Sequence, residues 1–422
     1  MIPAGISIQL AAAPWLPLHF VPAGNLLGIL PILIVGGGAV IVLLADLMVP
    51  RRGNLVLPVT AGIVLLGALG TAAGQWAVHA AHPIVFNGAY ADDRFALFAD
   101  FVILLTALAV VALSPGYLRR RGMEEGEYYT LLLASVTGML VLTGALNLIV
   151  VFLGIELLSI PLYVLAGFAR DEPLPQEAAM KYLLLGGFAS GFLLYGMALI
   201  YGETGHTGLV AIHRVLTTTA VSQQFDPMLL AGIALLAVGR PDGTQASLYY
   251  LAAYAFMNTG AFAVITILSR RGEDCDRYSQ LSGLGRRQPF LAGLMSIFML
   301  SLAGFPLTVG FFGKFFLFSA AIHDGQLALA IWGILTSAVS LFYYLRVILI
   351  MFSGATEPVS DEAPQVAGVS LDGAAIAAPD AAVAVGVSSG LVVLLAGAGT
   401  LVLGIFPALI YTLLQGITVV HG

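Results

Sequence analysis

Ten long apolar runs, at roughly 26–49, 55–73, 94–113, 129–146, 148–168, 178–201, 246–268, 290–322, 327–352 and 389–414, leave this chain few choices of fold. About twenty apolar residues in a helix cross a hydrocarbon core about 30 Å thick. The runs therefore predict an all-α, polytopic helical membrane protein with about ten spanning helices. Composition agrees: 59% of the residues are hydrophobic and 9% are charged, where a soluble domain carries about 25% charged residues. That excludes a soluble enzyme, and no basic patch points to nucleic acid as a partner. The single cysteine, Cys275, permits neither an internal disulfide nor a CxxC metal or redox pair. No basic residue precedes Arg51, so a cleavable secretory signal is not expected.

Arginine placement predicts the topology, because cytoplasmic loops carry excess basic residues. Arg51 and Arg52 follow the first run, Arg119, Arg120 and Arg121 the third, and Arg170 the fifth. The even-numbered loops hold only Arg94, Arg214 and Arg240. Arg270, Arg271, Arg277, Arg286 and Arg287 follow run 246–268 and fall inside if that run is the seventh to cross. A further apolar stretch, 227–239, reaches only about 20 Å as a helix. It is predicted to be re-entrant or partly inserted. Both termini then face the outer, periplasmic side. The chain divides into an N-terminal bundle, 1–240, and a C-terminal bundle, 241–422.

Run 290–322 is too long for one straight span and contains Gly304-Phe305-Pro306. Proline lacks an N–H and clashes with the preceding turn, so a break is predicted near Pro306. Irregular backbone at membrane depth is tolerated where protein or a wet cavity surrounds it. The break therefore marks a functional element.

Among the ionisable residues in apolar runs, four stand out: Glu156, Lys181, Lys314 and Arg346. A charge at a helix centre costs about 2.5–3.5 kcal/mol on insertion scales, so such residues commonly have a function. Arg346, near a helix end, reads as snorkelling to the inner interface. Lys181 has two readings, a snorkelling surface lysine or a proton carrier facing the interior. Glu156 and Lys314 lie deeper. The only two lysines, Lys181 and Lys314, are both in apolar helices, while the other fifteen cations are arginines. A buried lysine can lose its proton and an arginine effectively cannot. A lysine poised between desolvation and a nearby carboxylate takes up and releases a proton as their separation changes. A proton path through Glu156, Lys181 and Lys314 would require all three to face the bundle interior. His79 and His82 are close in sequence but have no carboxylate partner and read as loop residues; no metal site is expected. Gly36-Gly37-Gly38, Gly70–Gly74 and Gly187–Gly191 read as close helix packing rather than phosphate loops.

At these same residues the sequence resembles a known family. LNLIVVFLGIELLSIPLYVLAGFARDEPLPQEAAMKYLLLGGFASGFLLYGMALIYGETG is similar to the N-type, antiporter-like membrane subunit of bacterial proton-pumping NADH:quinone oxidoreductase (complex I). SLYYLAAYAFMNTGAFAVI and FMLSLAGFPLTVGFFGKFFLFSAAI resemble its later helices. The resemblance implies an antiporter-like fold with inverted repeats, each holding a broken helix. It implies that Glu156 modulates nearby lysines, that Lys181 lies on the next helix, and that Lys314 sits on the second broken helix on the exit side. It also implies that this chain holds no cofactor. NADH, flavin, iron–sulfur clusters and quinone would belong to partner subunits, and the partners would be adjacent antiporter-like and small membrane subunits in the inner membrane.

One departure stands out. After PMLLAGIALLAVG the family pattern continues into a first broken helix and three more helices, with central lysines. Here it runs directly into RPDGTQASLYY. Some 80–90 residues of the pattern are missing after Gly239 on the resemblance, an effective loss of four helices, which leaves ten of fourteen. Two alternatives to an active proton-path subunit follow: a degenerate structural or assembly subunit, and a sodium/proton antiporter subunit.

Overall fold

Polar side chains and glycines set the helix ends between the apolar runs. The computed structural model describes residues 23–48, 55–78, 84–123, 126–170, 172–218, 241–269, 275, 277–323, 325–353, 386–414 and 417. The stretch 227–239, and with it the expected re-entrant segment, lies outside the described residues.

The helices are α1 (Ala23–Gly28), α2 (Leu30–Met48), α3 (Val56–Val78), α4 (Arg94–Arg121), α5 (Gly126–Thr143), α6 (Leu148–Ala166), α7 (Pro173–Thr204) and α8 (Leu209–Thr218). They continue as α9 (Pro241–Leu268), α10 (Tyr278–Leu281), α11 (Leu284–Arg287), α12 (Pro289–Ala303), α13 (Val309–His323), α14 (Leu327–Phe352), α15 (Val387–Ile405) and α16 (Ala408–Leu414). Among the described residues, eight helices are long and apolar enough to cross a membrane. The 18-residue α5 and the split pair α12–α13 complete the ten predicted runs. Between α3 and α4 runs a small antiparallel hairpin, β1 (Ile84–Val85) and β2 (Tyr90–Ala91). Two-residue strands carry no readable periodicity, and neither the hairpin nor α8 is anticipated by the sequence.

Helix α4 is longer than its predicted run. The Asp93 side chain caps it by accepting from the Ala96 N–H at 2.9 Å. It then continues through Pro115 to Gly122, whose left-handed φ of 68° closes the last turn. Among the described residues two large apolar cores result, beside a smaller cluster of Leu148, Met197, Ile200 and Ile212 that joins α6, α7 and α8. One is built from α2–α5 around Val35, Leu65, Leu104, Tyr129 and Leu140. The other joins α9 and α12–α15 around Tyr249, Met257, Phe298 and Val393, with Ala99 and Leu113 of α4 joining it.

The ends of the helices sort onto two faces. On one, the hairpin is tied to the α5–α6 corner by Ala91 N–H to the Gly144 carbonyl at 2.7 Å and Leu146 N–H to the Ala89 carbonyl at 2.9 Å. Leu209 N–H bonds the Leu146 carbonyl at 2.8 Å and brings α8 to the same face. On the other face, Arg121 pairs with Glu172 at 2.7 Å and Arg170 pairs with Glu127. There Arg120 donates to the Thr266 carbonyl at 2.7 Å, which joins the ends of α4 and α9. Since α9 ends on the arginine face, it begins on the hairpin face, where α8 also lies. Tyr249 O–H, near the start of α9, donates to the Leu403 carbonyl at 3.1 Å, so α15 ends on the hairpin face too.

Candidate functional site

The break in run 290–322 falls where the sequence places it. Helix α12 ends at Ala303, and Gly304 takes the left-handed conformation, φ 86°. Its N–H bonds the Ser301 carbonyl at 2.9 Å, and Phe305 N–H bonds the Leu300 carbonyl at 2.9 Å. This pairing is the Schellman cap, which satisfies two of the helix's last carbonyls. The next two, of Leu302 and Ala303, receive the ammonium of Lys314. Its Nζ lies 2.9 Å and 3.3 Å from those oxygens. The negative end of the α12 dipole thus holds a cation carried by α13. Pro306 and Leu307, the latter at φ 69°, carry the chain across, and Thr308 Oγ1 donates to the Phe305 carbonyl at 2.6 Å. The start of α13 is fastened back: Gly310 N–H donates to Ser301 Oγ at 3.1 Å, and Ser301 Oγ points at Met257 Sδ at 2.8 Å. A Cβ on Gly310 would lie 1.9 Å from the Ser301 carbonyl, so glycine is required there.

Glu156 sits midway along α6, half-buried, and its Oε1 has no hydrogen-bond partner. A buried carboxylate oxygen without a partner is costly, so the position is one where a proton or a mobile donor is needed. Helix α5 crosses α6 beside it. A Cβ on Gly138 would fall 2.3 Å from the Leu158 nitrogen. On the other side α6 meets α7, where the Tyr163 and Tyr182 rings pack edge to face at 4.7 Å.

Lys181 differs from the interior position expected for it. It is 68% exposed on the outer surface of α7 and pairs with Glu177, itself 58% exposed. Helical side chains lean toward the N-terminus, which here is the arginine face, so Lys181 takes the snorkelling geometry. Helix α7 packs mainly on α6 and α8, which leaves most of its circumference open. Arg346 also takes its snorkelling position near the arginine face, over the Tyr278 ring at 5.0 Å. The three residues expected on the proton path are thus not gathered into one site. Glu156 and Lys181 stand on adjacent, packed helices, while Lys314 stands in the second core.

A further intramembrane acid escapes the sequence reading. Asp100, on α4, is 2% exposed and lies 2.7 Å from Thr143 Oγ1 of α5. The signal in the sequence is an aspartate seven residues into an apolar run, close behind Asp92, Asp93 and Arg94. In the loop above, burial and then the neighbouring Asp93 push the Asp92 carboxyl from its ordinary 3.8 up to about 6.

The family model described as "NADH:quinone oxidoreductase/Mrp antiporter, TM" matches residues 145–240 and 228–340. These two stretches include Glu156, Lys181 and Lys314, and they meet where the sequence pattern breaks off. NADH-quinone oxidoreductase subunit N of Trichlorobacter lovleyi is 32% identical over 93% of this chain and 96% of its own length. The subunit N of Chloroflexus aggregans is 30% identical over 95% and 99%. Those alignments run over 494 and 510 residues, more than the 422 present here, so both relatives hold stretches without a counterpart in this chain. Among solved structures, a chain of respiratory complex I from Thermus thermophilus with bound aureothin superposes at a TM-score of 0.64, with 26% identity over 90% of this chain and 98% of that one. A chain of the Mrp complex from a Dietzia species shares the fold, at a TM-score of 0.69 and 20% identity over 93% and 96%. On sequence and architecture together, this multi-pass membrane chain belongs to the subunit N family of NADH-quinone oxidoreductase.

Proposed function

We propose that the chain is a proton-path subunit in the membrane arm of an NADH:quinone oxidoreductase. The redox chemistry, with NADH, flavin, iron–sulfur clusters and quinone, belongs to other subunits, and this chain carries no cofactor of its own. The observation that carries the reading is the seat of Lys314 on the Leu302 and Ala303 carbonyls. The two carbonyl dipoles at the negative end of α12 attract the positive charge of the ammonium. A shift of α13 against α12 withdraws the two acceptors and leaves the lysine desolvated, which favours release of its proton. Glu156, with its unpartnered oxygen, is the acid that modulates the charge on the N-terminal side, and Lys181 is the lysine it addresses.

The two apolar cores support a division into bundles 1–240 and 241–422, with α4 shared between them. The arginines on one face support both termini lying on the opposite, periplasmic side of the inner membrane. The open apolar surfaces of α7 and α14 suit contact with neighbouring membrane subunits or lipid.

A degenerate, structural role is the second reading, and the stretches its relatives hold beyond this chain favour it. One experiment separates the two. In the complex reconstituted into vesicles, the ratio of protons moved to NADH oxidised is compared between wild type and Lys314→Ala. The proton-path reading expects a lower ratio in the variant. Equal ratios sink it.

A further inference from the structure

Asp100 stands apart from the sites above, and its surroundings are built around it. Thr143 Oγ1 lies 2.7 Å from Asp100 Oδ1 and also 2.7 Å from the Leu140 carbonyl. The Tyr90 hydroxyl lies 3.2 Å from the same Leu140 carbonyl and 3.4 Å from Thr143 Oγ1. A threonine hydroxyl has one hydrogen and faces two acceptors here, so the protonation of Asp100 decides where it goes.

With Asp100 ionised, Thr143 donates to the carboxylate and Tyr90 donates to the Leu140 carbonyl. With Asp100 protonated, its O–H donates to Thr143 and the Thr143 hydrogen turns to Leu140. Thr143, Tyr90 and the Leu140 carbonyl each keep a partner in both states, and the two differ by one proton on Asp100 and one hydroxyl rotation. Few buried acids have such a choice, because removing or adding a proton normally strands a partner.

The fold holds this arrangement in place. The hairpin bonds to Gly144 and Leu146 seat Tyr90 over the end of α5. A Cβ on Gly144 would lie 2.2 Å from the Ala91 carbonyl oxygen and 2.5 Å from the Tyr90 ring, so that seat exists only with glycine. Burial, with Asp100 adding to it, keeps the Tyr90 phenol in its neutral, donating form. The other groups around Asp100 are few. Asp92 in the loop lies within electrostatic reach of it. Asp93 is engaged in the helix cap. Helix α3 offers Trp76, packed on Phe101. The α9 and α15 sides of α4 belong to the apolar core through Ala99 and Phe95. Asp92, only half-buried in the loop, is the more exposed of the two acids.

We propose that Asp100 is a proton-binding site that exchanges with the hairpin face, with Thr143 as the hydroxyl that reorients when the proton comes or goes. The proton arrives from the Asp92 side as H⁺, adds to the Asp100 carboxylate, and leaves the same way. That this proton is one of those translocated rests on the reading in the previous subsection. The binding itself does not.

The test is infrared titration of the assembled complex in light and heavy water, with wild type, Asp100→Asn, Thr143→Val and Thr143→Ser. One protonated-carboxyl band is expected to titrate in wild type and to be lost in Asp100→Asn. Its midpoint is expected to move in Thr143→Val and to stay in Thr143→Ser, which keeps the hydroxyl. Identical band titrations in wild type and Asp100→Asn overturn the site, and an unmoved midpoint in Thr143→Val overturns the role of the hydroxyl. Should Asp100→Asn fail to assemble, the two threonine variants still decide the matter. The measurement requires no pumping, so a failed Lys314 experiment leaves it standing.

Discussion

Lys314 reaches back across the helix break to the carbonyl of Leu302, 2.9 Å away, and so joins two half-helices by a charge rather than by chain continuity. Two substitutions separate what this contact does for stability from what it does for protons. Lys314→Met strands the Leu302 and Ala303 carbonyls and is expected to cost about 1–3 kcal/mol. Lys314→Arg keeps a cation there but cannot give up its proton. Thermal unfolding of the purified complex is expected to show a loss for Met and little for Arg, while the proton-to-NADH ratio falls in both. An Arg variant that pumps normally means Lys314 never deprotonates in the cycle.

Close approach of α5 and α6 makes a second prediction. Gly138→Ala places a methyl against the Leu158 backbone, which has no flexible end to move aside. Overpacking of this kind costs about 1–3 kcal/mol. Gly187 on α7 has nothing within 4 Å of its would-be Cβ, and Gly187→Ala is expected to gain up to about 1 kcal/mol from helix propensity. Opposite shifts in melting temperature test the pair.

Lys181 is expected to behave as a surface residue in stability and as a path residue in function. Its pair with Glu177 is exposed on both sides, and pairs of that kind contribute little. Lys181→Ala should leave the melting temperature of the complex unchanged and lower the proton-to-NADH ratio. A clear loss of thermal stability would show that the lysine is buried in the assembly.

The Asp92 carboxyl gives a pH dependence. Its ordinary value is 3.8, and the fold raises it to about 6. The folded state therefore binds more protons than the unfolded one between those values, and stability falls as pH rises from about 4 to about 6. Above that range the penalty is fully present. Asp92→Asn removes it, so the variant is expected to melt higher than wild type at neutral pH and at the same temperature near pH 4. Equal melting temperatures at both pH values contradict the placement of Asp92.

The apolar runs, the Pro306 break and the arginine face are all legible in the sequence, because each rests on a strong local cost. A run of twenty apolar residues has one sensible environment, and a proline ends a helix whatever surrounds it. The Arg120–Thr266 contact places the end of α9 beside the end of α4. What the sequence hides depends on rotation and long-range contact. Hydropathy reports that Lys181 is in an apolar helix, but not which way the helix turns. The hairpin is held by pairings with residues more than fifty positions away. Asp100 becomes a site only when Thr143, from another helix, arrives beside it.

That same Arg120–Thr266 bond has a consequence for biosynthesis. Its partners are 146 residues apart in sequence, so a ribosome delivers Arg120 long before Thr266 exists. During that interval the first bundle has to hold its shape unaided. It is equipped to do so, since the buried residues of the core around Leu65, Leu104 and Tyr129 all lie between Val35 and Leu140. The arginine then waits on a finished platform, and the last turn of α9 docks onto it as the second half emerges.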